Sequence, residues 1–111
     1  MDGQGRPKPD QNEERVRRIM DVLIMLQPGE VTTYGDIAEM AGYPKQARLV
    51  GRILSTTDVQ VPWWRVVNAA GRLVPGNERV QSELLREEDV IIRNGKVAMA
   101  PSGRFSRSPE T

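Results

Sequence analysis

The stretch from Val31 to Ser55 limits the fold more than any other part of the chain. Thr33 is a good helix N-cap, and Asp36, three residues on, completes a capping-box variant that suits the positive end of a helix dipole. Ile37, Ala38, Met40 and Ala41 supply a short apolar face, and Gly42 is a natural helix-ending residue. Tyr43-Pro44 restarts the chain, with Pro44 suited to the first turn of a second helix over Lys45–Ser55. A short helix, a tight glycine-containing turn and a second helix predict a helix-turn-helix.

The second helix is expected to have two faces. Ala47, Val50 and Leu54 recur at inward-packing spacing, while Lys45, Arg48 and Arg52 share another face with no acid among them. That row reads either as a solvated basic face or as the phosphate-facing side of a recognition helix. Leu49 lies close to the row, where an apolar side chain could meet base edges or sugars.

The flanking segments complete the pattern. Gln11–Gln27 reads as an amphipathic helix with Val16, Ile19, Met20, Leu23 and Leu26 on one stripe, ended by Pro28-Gly29. After a polar connection over Ser55–Val61, Arg65-Val-Val67 and Arg72-Leu-Val74 flank a turn at Asn68–Gly71 and predict a two-stranded wing. Asn77 can cap a short helix to about Glu88, with Val80, Leu84 and Leu85 inward. Val90–Ile92, Asn94-Gly95 and Val97–Met99 read as a closing hairpin with a favoured turn dipeptide. The expected fold class is α/β, mostly α: a winged helix-turn-helix domain over residues 11–100. Residues 1–10 and 101–111 are read as disordered tails too polar to offset the entropy of ordering.

Composition excludes several functions. With 111 residues the chain is one domain, and it holds neither cysteine nor histidine. It therefore has no thiol nucleophile, and it lacks the commonest metal ligand and neutral-pH acid/base. No catalytic residue, metal or cofactor is expected. The net charge of +1 means that any nucleic-acid surface is a local patch rather than a bulk effect. No apolar run is long enough for a membrane span and no signal-like start is present, so a cytoplasmic location is expected. The chain is also expected to act as a monomer.

Val61–Asn68 carries both tryptophans, Trp63 and Trp64, between Pro62 and Arg65. Pro62 stiffens the entry to the pair. Adjacent side chains on an extended segment face opposite ways. One indole is expected in the core and the other lining something else, unless the segment forms a turn or a one-turn helix.

In series, four segments resemble the C-terminal DNA-binding domain of the O6-alkylguanine-DNA alkyltransferases. They are Gly29–Ala38 (Gly-Glu-Val-Thr-Thr-Tyr-Gly-Asp-Ile-Ala), Ala47–Gly51, Pro62–Val67 and Gly71–Gly76, followed by Leu84–Glu88. The third is Pro-Cys-His-Arg-Val in that family, the cysteine accepting the alkyl group; here Trp63 and Trp64 stand at the cysteine and histidine positions. The chain thus resembles the alkyltransferase-like proteins, a non-enzymatic branch. The resemblance implies binding of O6-alkylguanine in double-stranded DNA, flipping of the lesion without dealkylation, and its hand-over to nucleotide excision repair proteins.

It also implies roles. Tyr34 would rotate the phosphate beside the flipped nucleotide, with packing against the first helix as the alternative. Arg48 would enter the vacated stack, with a plain phosphate contact as the alternative. Trp63 and Trp64 would line or back the lesion pocket, and main-chain groups near Trp63, Val66, Gly76 and Asn77 would read the guanine edge. Thr33, Lys45, Arg52, Arg65 and Arg72 are expected along the DNA backbone, and Glu88 is read as a vestige of the family's histidine-orienting acid or a structural cap. Three departures stand out. Gly76 replaces an arginine that contacts the lesion in well-known members, which leaves either Arg72 or Arg79 to do that job or a more open pocket; Thr57-Asp58 replaces an Asn-Pro pair; and Trp64 replaces histidine. The competing readings are a winged-helix transcriptional regulator of undamaged DNA and a residual enzyme, the latter opposed by the missing cysteine and histidine.

Overall fold

A computed structural model describes residues 10–106; residues 1–9 and 107–111, expected as tails, lie outside them. Helix α1 spans Gln11–Ile24 and is started by a full capping box, in which Asp10 accepts from Glu13 N–H at 2.8 Å and Glu13 accepts from Asp10 N–H at 3.3 Å. Asp10 therefore belongs to the helix rather than to a tail. Ile19, Leu23 and Leu26 are buried as the periodicity requires, whereas Val16 is exposed.

Strand β1 (Glu30–Thr33) leads directly into helix α2 (Tyr34–Met40), and helix α3 (Ala47–Thr56) follows after the turn, giving the expected helix-turn-helix. The second helix starts two residues later than its sequence suggests. Lys45 holds a left-handed φ of +71°, and Gln46 N–H closes a turn on the Tyr43 carbonyl, so Pro44 and Lys45 belong to the turn. The buried side of α3 is Val50 and Ile53, with Ala47 and Leu54 only partly covered. Leu49 also packs against this core, which accounts for it without nucleic acid. Met40, expected inward, is 55 % exposed because α2 ends there.

After α3 come a single 3-10 turn (Trp63–Arg65), β2 (Val66–Val67), helix α4 (Glu78–Glu87), β3 (Ile91–Arg93), β4 (Lys96–Met99) and β5 (Ser102–Gly103). The wing expected over Arg65–Val74 does not form as a hairpin. Instead β2 pairs in parallel with β1, Thr32 opposite Val66, and Arg72 makes an isolated antiparallel bridge to Lys96. The Asn68 side chain accepts from the N–H groups of Ala70 and Arg72, folding that segment into a compact loop rather than a ladder. The hairpin of the domain is β3–β4, turned by Asn94-Gly95 with both residues at positive φ.

A three-stranded parallel sheet, in the order β2-β1-β5, separates two apolar clusters. Val66 and Val67 are adjacent and fully buried, Val66 in the cluster with α1, α2 and α3, Val67 in the one with Leu73, Leu85, Val90 and Val97. That is the alternation of a strand covered on both faces. The buried face of α4 is Gln81 and Leu85; Val80, expected inward, is 50 % exposed. Asn77 precedes α4 without a side-chain capping bond. Part of the expected C-terminal tail is structured: β5 lies on β1 and Phe105 packs against the second cluster.

Candidate nucleic-acid interface

The 3-10 turn at Trp63–Arg65 sends the two indoles to different surroundings. Their rings meet edge to face, 6.2 Å apart at 89°. Trp64 packs against the second apolar cluster, and its Nε1–H donates to Glu88 Oε2 at 2.8 Å. Arg65 lies 5.1 Å over the Trp64 ring and forks onto Glu88, with Nη2 donating at 2.7 Å, while its Nη1 donates to the Leu26 carbonyl at 2.8 Å. Gly29 N–H donates to Glu88 Oε1 at 2.8 Å. Glu88 is the C-cap residue of α4, as one of its two readings has it, and its side chain also ties the tryptophan turn to α1's exit and the start of β1. Burial pushes its carboxyl pKa up, but the Arg65, Gly29 and Trp64 hydrogen bonds outweigh burial and hold it below the ordinary value.

Trp63 faces the other way, into an open cavity of about 400 Å³. Tyr34, Gly51, Leu54, Ser55, Trp63, Val74 and Asn77 line it. Tyr34 stands at the first position of α2, its ring 4.0 Å from where a Gly51 Cβ would be. Burial raises the Tyr34 phenol pKa, so the hydroxyl stays protonated and able to donate at neutral pH. Gly76, the chain neighbour of the lining residue Asn77, is exposed at φ +87° with nothing within 4 Å of where a Cβ would stand.

The structure therefore brings Tyr34, Trp63 and Asn77 to one cavity, with Gly76 beside them, but not Trp64 or the Val66 side chain. The Val66 carbonyl accepts from Gln81 Nε2 at 3.2 Å, and its N–H donates to the Trp63 carbonyl. Arg48 and Arg52 are exposed on α3 and make no ion pair among the described residues; Lys45 is exposed in the turn, off their helical row. Arg72 is exposed beside Lys96. Two expected backbone contacts are otherwise occupied. Thr33 is buried and its hydroxyl caps α2 through Asp36 N–H at 3.1 Å, and Arg65 is sealed against Glu88. Asp36 does not close the expected capping box; it pairs with Arg104.

Gln81 was missed in the sequence. It is completely buried, accepting from Val74 N–H at 2.7 Å and donating to the carbonyls of Trp64 and Val66 at 3.1 and 3.2 Å. It locks α4 to both the tryptophan turn and the cavity wall at Val74. A glutamine on a polar helix carries no sequence signal for this; only its place one turn before Leu85 hints at the buried side.

Fold and site together define a small helix-turn-helix DNA-binding domain with an aromatic-walled cavity beside its second helix. The family model for the 6-O-methylguanine DNA methyltransferase DNA binding domain matches residues 14–90, and the chain belongs to that family, on its alkyltransferase-like side. It is 37 % identical to a DNA base-flipping protein of Vibrio parahaemolyticus over 87 residues, covering 74 % of this chain and 87 % of that protein. It is 34 % identical to alkyltransferase-like protein 1 of Schizosaccharomyces pombe over 86 residues, covering 72 % of this chain and 80 % of that one. The crystal structure of S. pombe Atl1 in complex with damaged DNA containing O6-carboxymethylguanine superposes with a TM-score of 0.70 at 27 % identity, covering 91 % of this chain and all of that one.

Proposed function

We propose that the protein is a DNA-damage sensor. It binds O6-alkylguanine in duplex DNA, turns the damaged base out of the helix into the cavity beside Trp63, and leaves the alkyl group in place. Helix α3 docks in the minor groove, Arg48 fills the vacated stack, and Tyr34 turns the adjoining phosphate. Extrusion costs a few kcal/mol in lost pairing and stacking. Stacking on Trp63, worth roughly 1–3 kcal/mol per base, offsets much of that. The held lesion then marks the site for nucleotide excision repair proteins, the sensor acting as a monomer.

The observation that carries this reading is the cavity of about 400 Å³ with Tyr34 on one wall and Trp63 on another, in a chain without cysteine. Alkyl transfer to protein needs a thiolate or a comparable nucleophile, and an indole carbon is neither. With no nucleophile to approach, bulkier alkyl groups fit as well. Support comes also from the likeness to a protein solved on DNA containing O6-carboxymethylguanine.

The test compares affinities for otherwise identical duplexes with O6-methylguanine and with guanine at matched salt. A clear preference for the lesion, with labelled methyl remaining on the DNA, is expected; equal affinities would refute the proposal. Arg48→Ala should weaken lesion binding by about 1 kcal/mol or more, on the scale of one bidentate contact.

A further inference from the structure

Residues beyond the matched family segment do more than close the fold. After β4 the chain returns along β1, with Ser102 opposite Glu30 and Gly103 opposite Val31. Ser102 N–H donates to the Gly29 carbonyl at 3.1 Å and Arg104 N–H to the Val31 carbonyl at 2.9 Å. Gly103 has φ +88°, and a Cβ there would sit 2.3 Å from the Val31 carbonyl oxygen, so only glycine permits this approach. Phe105 anchors the far end in the second cluster, against Gly71.

Between these anchors Arg104 reaches back to α2. Its Nε donates to Asp36 Oδ2 at 2.8 Å and its Nη2 to Asp36 Oδ1, a two-pronged contact spanning 68 residues of sequence. Asp36 is in the first turn of α2, with its N–H held by Thr33 Oγ1 at 3.1 Å and its Oδ2 accepting from Thr32 Oγ1 at 3.4 Å. Tyr34 sits between Thr33 and Asp36 in that same turn. Arg104 is 55 % exposed, and so exposed a pair adds little to global stability. What the fork does supply is a fixed position, since two parallel donors define both the distance and the plane of the carboxylate.

We propose that Arg104 is a positioning residue for Tyr34, the strand Ser102–Gly103 and Phe105 being the strap that delivers its guanidinium to the first turn of α2; this rests on the reading of Tyr34 as the residue that turns the phosphate. Small displacements of a group that must meet its target in one geometry cost far more in function than in stability. The strap therefore sets discrimination between damaged and intact DNA without touching the lesion.

The experiment measures dissociation constants for O6-methylguanine and guanine duplexes with the full chain and with Arg104→Ala, Arg104→Lys and Gly103→Val, at several salt concentrations. Arg104→Ala should lower the lesion preference roughly threefold to tenfold. Gly103→Val should do the same by displacing the strap, and Arg104→Lys should recover part of the loss. In a Tyr34→Ala background Arg104→Ala should have no further effect on the preference, which a merely structural role would not produce. An unchanged preference in Arg104→Ala, or additive losses in the double variant, overturns the inference while leaving the sensor function standing. Equal weakening on both duplexes with a shallower salt dependence makes Arg104 a phosphate contact and likewise overturns it. A wild-type protein with no lesion preference overturns the sensor reading itself, and this inference with it.

Discussion

The Trp64 indole N–H donates to the Glu88 carboxylate at 2.8 Å, and this contact decides which tryptophan faces the cavity. Glu88 receives donors from Gly29, Trp64 and Arg65 together, and both ion-pair side chains are nearly sealed, 11 % exposed for Arg65 and 13 % for Glu88. Removing the charge while keeping the shape leaves several donors competing for one amide oxygen. Glu88→Gln should therefore cost about 2–3 kcal/mol, somewhat below the range for breaking a fully buried pair. Urea unfolding of the two proteins at pH 7 measures the difference.

The same carboxylate governs the response to acid. Glu88 is held below the ordinary range despite its burial, and Asp36 is held there chiefly by its hydrogen bond from Arg104. A carboxylate depressed in the folded state contributes stability above its unfolded pKa, about 4, and loses it as pH falls through the folded value. The chain has no histidine to titrate between these limits and neutrality. Stability should be flat from about pH 6 to 8 and fall progressively below about pH 4. Glu88→Gln should show a shallower fall, visible as converging urea midpoints at low pH.

The two tryptophans should separate cleanly by substitution. Trp64→Phe keeps the ring in the second cluster but leaves Glu88 one donor short, a loss of roughly 0.5–1.5 kcal/mol in stability. Trp63→Ala removes a cavity wall, and should weaken lesion binding by roughly 1–3 kcal/mol. Thermal unfolding and duplex binding on both variants check the split. Loss of lesion binding in Trp64→Phe equal to that in Trp63→Ala would contradict the assignment.

How much of this was legible follows from which forces leave a mark in side-chain order. Helix α1, the cap at Thr33 and the β3–β4 hairpin were readable because periodicity, a capping hydroxyl and an Asn-Gly turn are local signals. The parallel pairing of β1 with β2 and β5 was not. Strands of two residues have no period, and backbone hydrogen bonds are indifferent to the side chains that carry them. Ser102–Phe105 looked like a tail because one glycine and one phenylalanine suffice to dock it. The division of labour between Trp63 and Trp64 does not follow from strand alternation, because the segment is a 3-10 turn. Which one faces the cavity depended on Glu88, 24 residues away from Trp64.

Introducing a thiol at position 63 should not by itself confer alkyl transfer. A free thiol with a pKa near 8.5 is only partly thiolate at neutral pH and needs an adjacent base to become a strong nucleophile. Trp64 offers no base, and its N–H with the Arg65 fork already occupies Glu88. Trp63→Cys with Trp64→His introduces both a thiol and a base, and a histidine at position 64 can inherit the hydrogen bond to Glu88. The double variant should move labelled methyl from O6-methylguanine DNA to protein about 100-fold or more faster than Trp63→Cys alone, the usual contribution of a positioned base. Equal rates in the two variants would show that Glu88 cannot orient a base at position 64.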